Sequence, residues 1–127
     1  MDVDYGGAVK AYCVPWEYMF VGFQRCSCGA AFITPPANKK CVQHLRKSEG
    51  KYYDVIEITC VKCGNKKEFV FDINGFFLLP VEEKNARTEE YKRVRQEFFE
   101  IVGMPEEETK RRRLSEFRGK YPWFFEK

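Results

Sequence analysis

Four cysteines, arranged as two close pairs, have the residue type and spacing that bind a metal ion. One residue separates Cys26 from Cys28, two residues separate Cys60 from Cys63, and a glycine follows each pair. A tight turn presents two thiolates from one side, and the glycine can adopt the positive φ that such a turn requires. We call each pair with its glycine a knuckle, the first and the second in chain order. Together they predict one structural Zn²⁺ bound tetrahedrally by the four sulfurs.

Cys41 and His44 are further candidate ligands. Two residues separate them, a spacing that also binds zinc, and His44 is the only histidine in the chain. Because a structural zinc site is complete with four ligands, the sequence favours a packing role for both residues in a strand or short turn. The alternatives are that one of them replaces a sulfur of the first knuckle, or that they contribute to a second metal site. Cys13 has no partner at knuckle spacing and is predicted to be a buried or free thiol.

The second knuckle lies between two segments with high β propensity. Residues 52–59 and 66–73 are rich in β-branched and aromatic residues, and they predict a hairpin with the knuckle at its tip. Residues 16–23 and 30–34 predict a first hairpin around the first knuckle. The loop at 35–40 ends it, since proline cannot donate a hydrogen bond to a strand ladder.

Over roughly residues 16–77 this arrangement resembles the zinc-ribbon superfamily, in which knuckles on two β-hairpins hold one structural zinc ion. The second knuckle matches the CxxCG pattern, whereas the first, CxCG, is one residue shorter than usual. The resemblance implies binding or scaffolding more often than catalysis. Zinc ribbons of the transcript-cleavage class carry paired acidic residues at the hairpin tip to hold catalytic magnesium. Here the tip carries Asn65 and three lysines, which disfavours that activity.

From residue 81 the chain is charged and predicts two helices. Thr88 is a good N-cap and Gly103 suits the position after a helix, so the first helix is predicted at about 89–102. Its apolar residues recur at helical spacing and form one stripe, which we expect to pack on the ribbon: Tyr91, Val94, Phe98 and Ile101. The second helix is predicted at about 105–118, with a proline at its first position.

The predicted fold is therefore α+β: a small antiparallel zinc ribbon of two hairpins, followed by two helices that pack on it. Residues 1–15 lack periodicity and predict a flexible arm. The ribbon occupies 16–80, and 81–127 form a helical segment with an aromatic tail. The chain shows no secretory signal and no apolar run of membrane length, so spaced cysteines indicate metal binding in a reducing, cytoplasmic compartment.

The lysines around the second knuckle are the candidate nucleic-acid contacts. Lys62, Lys66 and Lys67 lie at the predicted tip, and Lys39 and Lys40 could extend their surface. A net charge of +3 is too nearly balanced to indicate nucleic-acid binding by itself. Any binding charge must therefore be local.

The aromatic tail supplies the candidate contacts to a protein partner. Trp123, Phe124 and Phe125 either cover a face of their own chain or anchor it in another protein. The sequence shows no nucleophile–base pair, phosphate loop or small-molecule site, which predicts a non-enzymatic protein. The leading hypothesis is a zinc-ribbon accessory module that binds a macromolecule, with nucleic acid held at the lysine tip. The alternative is a protein–protein adaptor that uses its aromatic strands and tail.

Overall fold

The computed structural model describes residues 7–125 as a four-stranded sheet with three α-helices. The strands follow the order β1-β4-β3-β2 across the sheet; β1 is parallel to β4, and the other neighbours are antiparallel. The α+β class agrees with the prediction. The elements in chain order are β1 (Val9–Lys10), α1 (Val14–Phe23), β2 (Cys41–Ser48), β3 (Lys51–Thr59), β4 (Lys66–Asp72), α2 (Val81–Val102), α3 (Glu107–Lys120) and a 3-10 turn (Pro122–Phe125).

The hairpin of β3 and β4 is the predicted one, and it carries the second knuckle between its strands. On the other side of β3, strand β2 pairs with it along the whole length of β2, and a two-residue turn connects the two strands. Glu49 and Gly50 both adopt positive φ there, 53° and 77°, as a tight hairpin turn requires. Because β2 is a largely exposed and polar edge strand, its composition alone indicates no more than a strand or short turn around Cys41.

The prediction of a strand at 16–23 is wrong, because these residues belong to α1. Pro15 suits the first turn of a helix, and buried Trp16, Glu17 and Val21 share one helical face. That face lies on the sheet, where the Trp16 ring meets Phe71 edge to face at 6.3 Å between centroids. Burial against the sheet therefore overrides the local β propensity.

The predicted return strand at 30–34 is also absent within the described residues. Only an isolated bridge between Arg25 and Ala31 closes the first knuckle. The first hairpin of the predicted ribbon is thus replaced by a helix, a knuckle and a single bridge.

Residues 1–6 of the predicted flexible arm lie outside the described residues. The rest of that arm is packed, which corrects the prediction for 9–13: β1 adds to the sheet edge, and Ala11 and Cys13 are buried. Cys13 is a free buried thiol, as expected, and burial raises its pKa to about 11.

Both C-terminal helices are present, with shifted starts. The first, α2, begins at Val81 rather than near 89, so Thr88 lies inside it. Pro80 occupies its N-cap, and acidic Glu82 and Glu83 fill the first turn, where they complement the helix dipole. It ends before Gly103 as predicted, and α3 is displaced by two residues from its predicted range. Residues 74–78 form turns that connect β4 to α2.

The apolar stripe of α2 is buried, but the ring contacts of its Phe98 are with the other helical elements and not with the sheet strands predicted as the ribbon. Tyr91, Val94 and Ile101 are at most 5% exposed. Phe98 is partly buried and contacts aromatic rings of the other helical elements, with centroids 5.7 Å from Phe117 and 5.2 Å from Phe124. The stripe therefore packs among α1, α3 and the C-terminal turn. No helix of residues 7–125 is long and apolar enough to cross a membrane.

Candidate metal centre

The two knuckles bring their four cysteines together at one end of the sheet. The Sγ atoms of Cys26, Cys28, Cys60 and Cys63 all lie within 4.8 Å of one another. Two of the distances are 3.4 Å, between Cys26 and Cys63, and 3.7 Å, between Cys28 and Cys60. A zinc ion with Zn–S bonds of about 2.3 Å needs sulfurs about 3.8 Å apart at the corners of a tetrahedron. The cluster therefore fits a metal ion of this kind, with only thiolate donors.

Backbone hydrogen bonds shape the first knuckle. The Cys26 amide donates to Ala30 O at 2.8 Å, and the Gly29 amide donates to Cys26 O at 2.8 Å. Gly29 has φ +91°, which an L residue with a side chain adopts only with strain. The turn from Cys26 to Ala30 is thus closed within five residues, which explains how a CxCG spacing still presents both sulfurs on one side.

The second knuckle repeats this design at the tip of the β3–β4 hairpin. The Cys60 amide donates to Asn65 O at 2.8 Å, the Gly64 amide donates to Cys60 O at 2.9 Å, and Gly64 has φ +81°. Asn65 Nδ2 also lies 3.4 Å from Ser27 Oγ. This side-chain contact joins the two knuckles directly beside the sulfur cluster.

Amide groups around the sulfurs favour the thiolate forms that bind metal. The amide of Cys28 is the main cause that lowers the pKa of Cys26, to about 6, and the amides of Cys63 and Lys62 lower the pKa of Cys60. At Cys63 the Asn65 amide lowers the pKa, but contacts with the other thiols outweigh it and raise the pKa to about 12. Four thiolates repel one another unless a cation neutralises them, so the cluster is suited to hold one.

Burial distinguishes the inner from the outer sulfurs. Cys26 and Cys60 are buried, with 7% and 1% of their surface exposed, and belong to the hydrophobic core. Cys28 and Cys63 face solvent. With four protein donors a zinc ion has no open position for a substrate, which is typical of a structural and not a catalytic site.

Cys41 and His44 lie outside the sulfur cluster, in β2, opposite Ile58 and Val55. Both are partly buried, in agreement with the packing role that the sequence favours. Among the described residues no second group of three potential ligands gathers around them or around Cys13.

The five candidate lysines are exposed and lie near the second knuckle. Lys40 O accepts a hydrogen bond from the Thr59 amide at 3.0 Å, so the loop with Lys39 runs beside β3 just before Cys60. Lys66 Nζ lies 4.0 Å from a carboxylate oxygen of Glu57, across the strand pair. Glu57, and not only its cross-strand neighbour Glu68, therefore offsets part of the charge at the tip. Lys62 and Lys67 have no ion-pair partner among the residues described.

The aromatic tail residues are engaged within the chain. Trp16 Nε1 donates a hydrogen bond to Phe124 O at 3.0 Å, and Phe124 is 2% exposed. Trp123 stacks on the Tyr12 ring with centroids 3.8 Å apart, and Phe125 is partly buried. The tail thus covers α1, as in the self-docking interpretation of the sequence.

Sequence reasoning missed one buried polar cluster between α1 and the sheet. Glu17 is fully buried, and no described donor group reaches either of its carboxyl oxygens. Its neighbour Asp54 accepts a hydrogen bond from Gln43 Nε2 at 3.0 Å, and Gln43 Oε1 accepts one from the Tyr18 hydroxyl at 2.7 Å. The signal was a single glutamate inside the apolar run of residues 14–23.

Comparison of the chain with models of known protein families, with curated proteins and with solved structures finds no match.

Proposed function

We propose that this protein is a non-enzymatic zinc-binding module, in which one Zn²⁺ fastens the β3–β4 hairpin to the chain that follows α1. The clustering of four thiol groups within 4.8 Å carries the proposal. Among the described residues no disulfide or other covalent tie joins the hairpin tip to the first knuckle, although Phe32 packs on Phe69 nearby with ring centroids 5.6 Å apart. Zinc binding would supply that tie, as it does in many small domains. The similarity of the knuckles to the zinc-ribbon superfamily supports the same conclusion.

The metal can be tested through its stoichiometry and ligands. Metal analysis should give one zinc per chain, and Cys60→Ser should abolish binding because a buried corner of the tetrahedron is lost. Cys41→Ser is the matched control, since this cysteine lies in the neighbouring strand and outside the cluster. Loss of zinc from the control, or a metal-free wild type that unfolds cooperatively at unchanged temperature, would refute the proposal.

The module would serve as a macromolecule-binding accessory unit whose lysine tip contacts nucleic-acid phosphates. Lys62, Lys66 and Lys67 project from a hairpin tip that the metal would hold rigid, and the loop with Lys39 and Lys40 lies next to it. Binding of this kind is weak, tolerant of sequence and steeply dependent on salt, because each phosphate contact releases counterions. The partial neutralisation of Lys66 by Glu57 points to Lys62 and Lys67 as the stronger contacts.

Titration of single-stranded RNA and DNA at several salt concentrations tests this role. Lys62→Glu combined with Lys67→Glu should abolish the salt-dependent affinity and leave the zinc content unchanged. Arg111→Glu combined with Arg112→Glu provides a matched charge change on α3, away from the tip, and should have a smaller effect. If the wild type shows no salt-dependent affinity, the nucleic-acid role is rejected and the zinc module remains.

A protein partner is the second candidate, and the open edge of β2 favours it. Lys40 O accepts a hydrogen bond from the Thr59 amide, and residues that do and do not bond to the neighbouring strand alternate along an antiparallel strand. The backbone N–H and C=O groups of residues 41, 43, 45 and 47 therefore point away from β3. Val42 and Leu45 on this edge are 47% and 50% exposed. A strand from a partner protein could add here. Leu45→Pro removes one outward amide, so it should abolish such binding with little loss of fold stability.

A further inference from the structure

A groove lies between α1 and the C-terminal aromatic turn. It has a volume of about 700 Å³, within the range of pockets that hold small ligands. Phe20 and Phe23 of α1 and Phe125 of the turn line it with accessible apolar surface, whereas Trp16 and Phe124 are buried. Trp16 Nε1 donates a hydrogen bond to Phe124 O at 3.0 Å, so the indole N–H is not available to a ligand.

The accessible apolar surface of the groove belongs to its less buried residues. Phe20 and Phe125 are partly exposed and Phe23 is 53% exposed, whereas Trp16 and Phe124, at 0% and 2%, are already covered by the chain itself. An apolar chain could therefore lie between Phe20 of α1 and Phe125 of the turn. A surface that inserts into a membrane would instead present its apolar side chains outward.

One charged residue lines the groove. Arg118 of α3 lies over the Phe125 ring, with its guanidinium carbon 5.1 Å from the ring centroid. No carboxylate of the described residues lines the groove, and none pairs with Arg118 within 4.0 Å. Stacking on the ring fixes the guanidinium plane and leaves its N–H groups available for an anion.

We propose that this groove binds a free anionic amphiphile, with its apolar chain between α1 and the C-terminal turn and its carboxylate on Arg118. A guanidinium–carboxylate pair is bidentate and charge-assisted, so it would select the carboxylate over a neutral or cationic head group. A second copy of this chain is a poor occupant, because it would bring two Arg118 side chains together. The metal centre plays no part in this site, so the two can fail independently.

Trp16 allows the binding to be measured directly. In a Trp123→Phe background Trp16 is the only tryptophan, and a terminally brominated decanoate bound against Phe20 should quench its fluorescence to saturation, since the two ring centroids are 5.5 Å apart. Unlabelled decanoate should displace the probe, whereas decanol and decyltrimethylammonium should compete roughly tenfold more weakly because each lacks the charge-assisted pair. All measurements use the zinc-loaded chain with its metal content verified.

Arg118→Gln should weaken decanoate binding roughly tenfold, with Arg111→Gln as a matched control on the same helix but outside the groove. Equal competition by decanoate and decyltrimethylammonium, or equal behaviour of the two variants, would overturn the proposal. Quenching that does not saturate below the micelle concentration would overturn it as well. If the protein sediments with phosphatidylglycerol vesicles and Arg118→Gln abolishes this, the surface binds membranes and the proposal of a free ligand is rejected.

Discussion

Replacing Glu17 by glutamine should stabilise the protein at neutral pH, and increasingly so as the pH rises. Burial is the main cause that raises the pKa of Glu17 from 4.5 to about 10, and the neighbouring carboxyl group of Asp54 adds to it. The folded protein thus keeps a proton that the unfolded chain releases. Glutamine has a similar shape, carries no titrating proton and can donate its amide N–H to Asp54.

The sign and size follow from proton linkage. Since the folded pKa is raised, the contribution of Glu17 to stability is complete below the unfolded pKa of about 4.5 and is lost as the pH rises towards 10. The loss is about 1.4 kcal/mol per pH unit, hence about 3 kcal/mol by neutral pH. The variant should therefore exceed the wild type in free energy of unfolding by roughly this amount at about pH 7.

Urea unfolding of both proteins, with zinc in excess, across a series from about pH 6 to about pH 9 gives the difference directly. Metal-dependent stability changes with pH as well, but it cancels when variant and wild type are compared at the same pH. Glu116→Gln on the exposed side of α3 should show no pH-dependent difference. A constant difference across the series, or a variant less stable throughout, would mean that Glu17 does not hold its proton in the folded protein.

Three further substitutions probe the metal, the core and one loop. Cys60→Ser should lower the unfolding temperature strongly and make it insensitive to a zinc chelator, whereas Cys41→Ser should retain the chelator response of the wild type. Phe98→Ala should lower the free energy of unfolding in urea by about 2–3 kcal/mol, less than for a fully buried phenylalanine because Phe98 is only partly buried. Its control, Phe99→Ala, should lower it by under about 1 kcal/mol, because Phe99 is 44% exposed. Asn38→Ala should lower the free energy of unfolding by about 2–4 kcal/mol, because this buried side chain donates to Ile33 O and Thr59 O and accepts from the Lys40 amide. An alanine substitution at an exposed asparagine of α2 is the control. An equal change in the two variants would contradict the reasoning.

The cluster of four cysteines was predictable because its determinants are local. A knuckle is a short turn, and the residues that shape it stand next to the two thiols: Gly29 in the first and Gly64 in the second. The same holds for the β3–β4 hairpin, whose β-branched strands flank the second knuckle. The ends of α2 and α3 were less accessible, since Pro80 and Thr88 can each begin a helix and only the packed structure selects between them.

The identity of α1 could not be obtained from propensity. Its residues are aromatic and β-branched and suit either a strand or a buried helix, and the choice depends on Trp16 and Val21 meeting a sheet formed more than 30 residues later. The Glu17–Asp54 neighbours and the groove beside Arg118 arise in the same way. Each joins segments far apart in the chain, so no local pattern announces them.

The hydrogen bond from Trp16 to Phe124 spans 108 positions of the chain and sets an order of events during synthesis. The inner surface of α1 is completed on one side by β3 and β4 and on the other by the C-terminal turn. A ribosome would therefore release most of the chain before the helix could find its final neighbours. Until then its aromatic side chains stay accessible to chaperones or to other nascent chains. Folding should thus be late and cooperative, with distant contacts slowing it, and early termination of translation should give an aggregation-prone product.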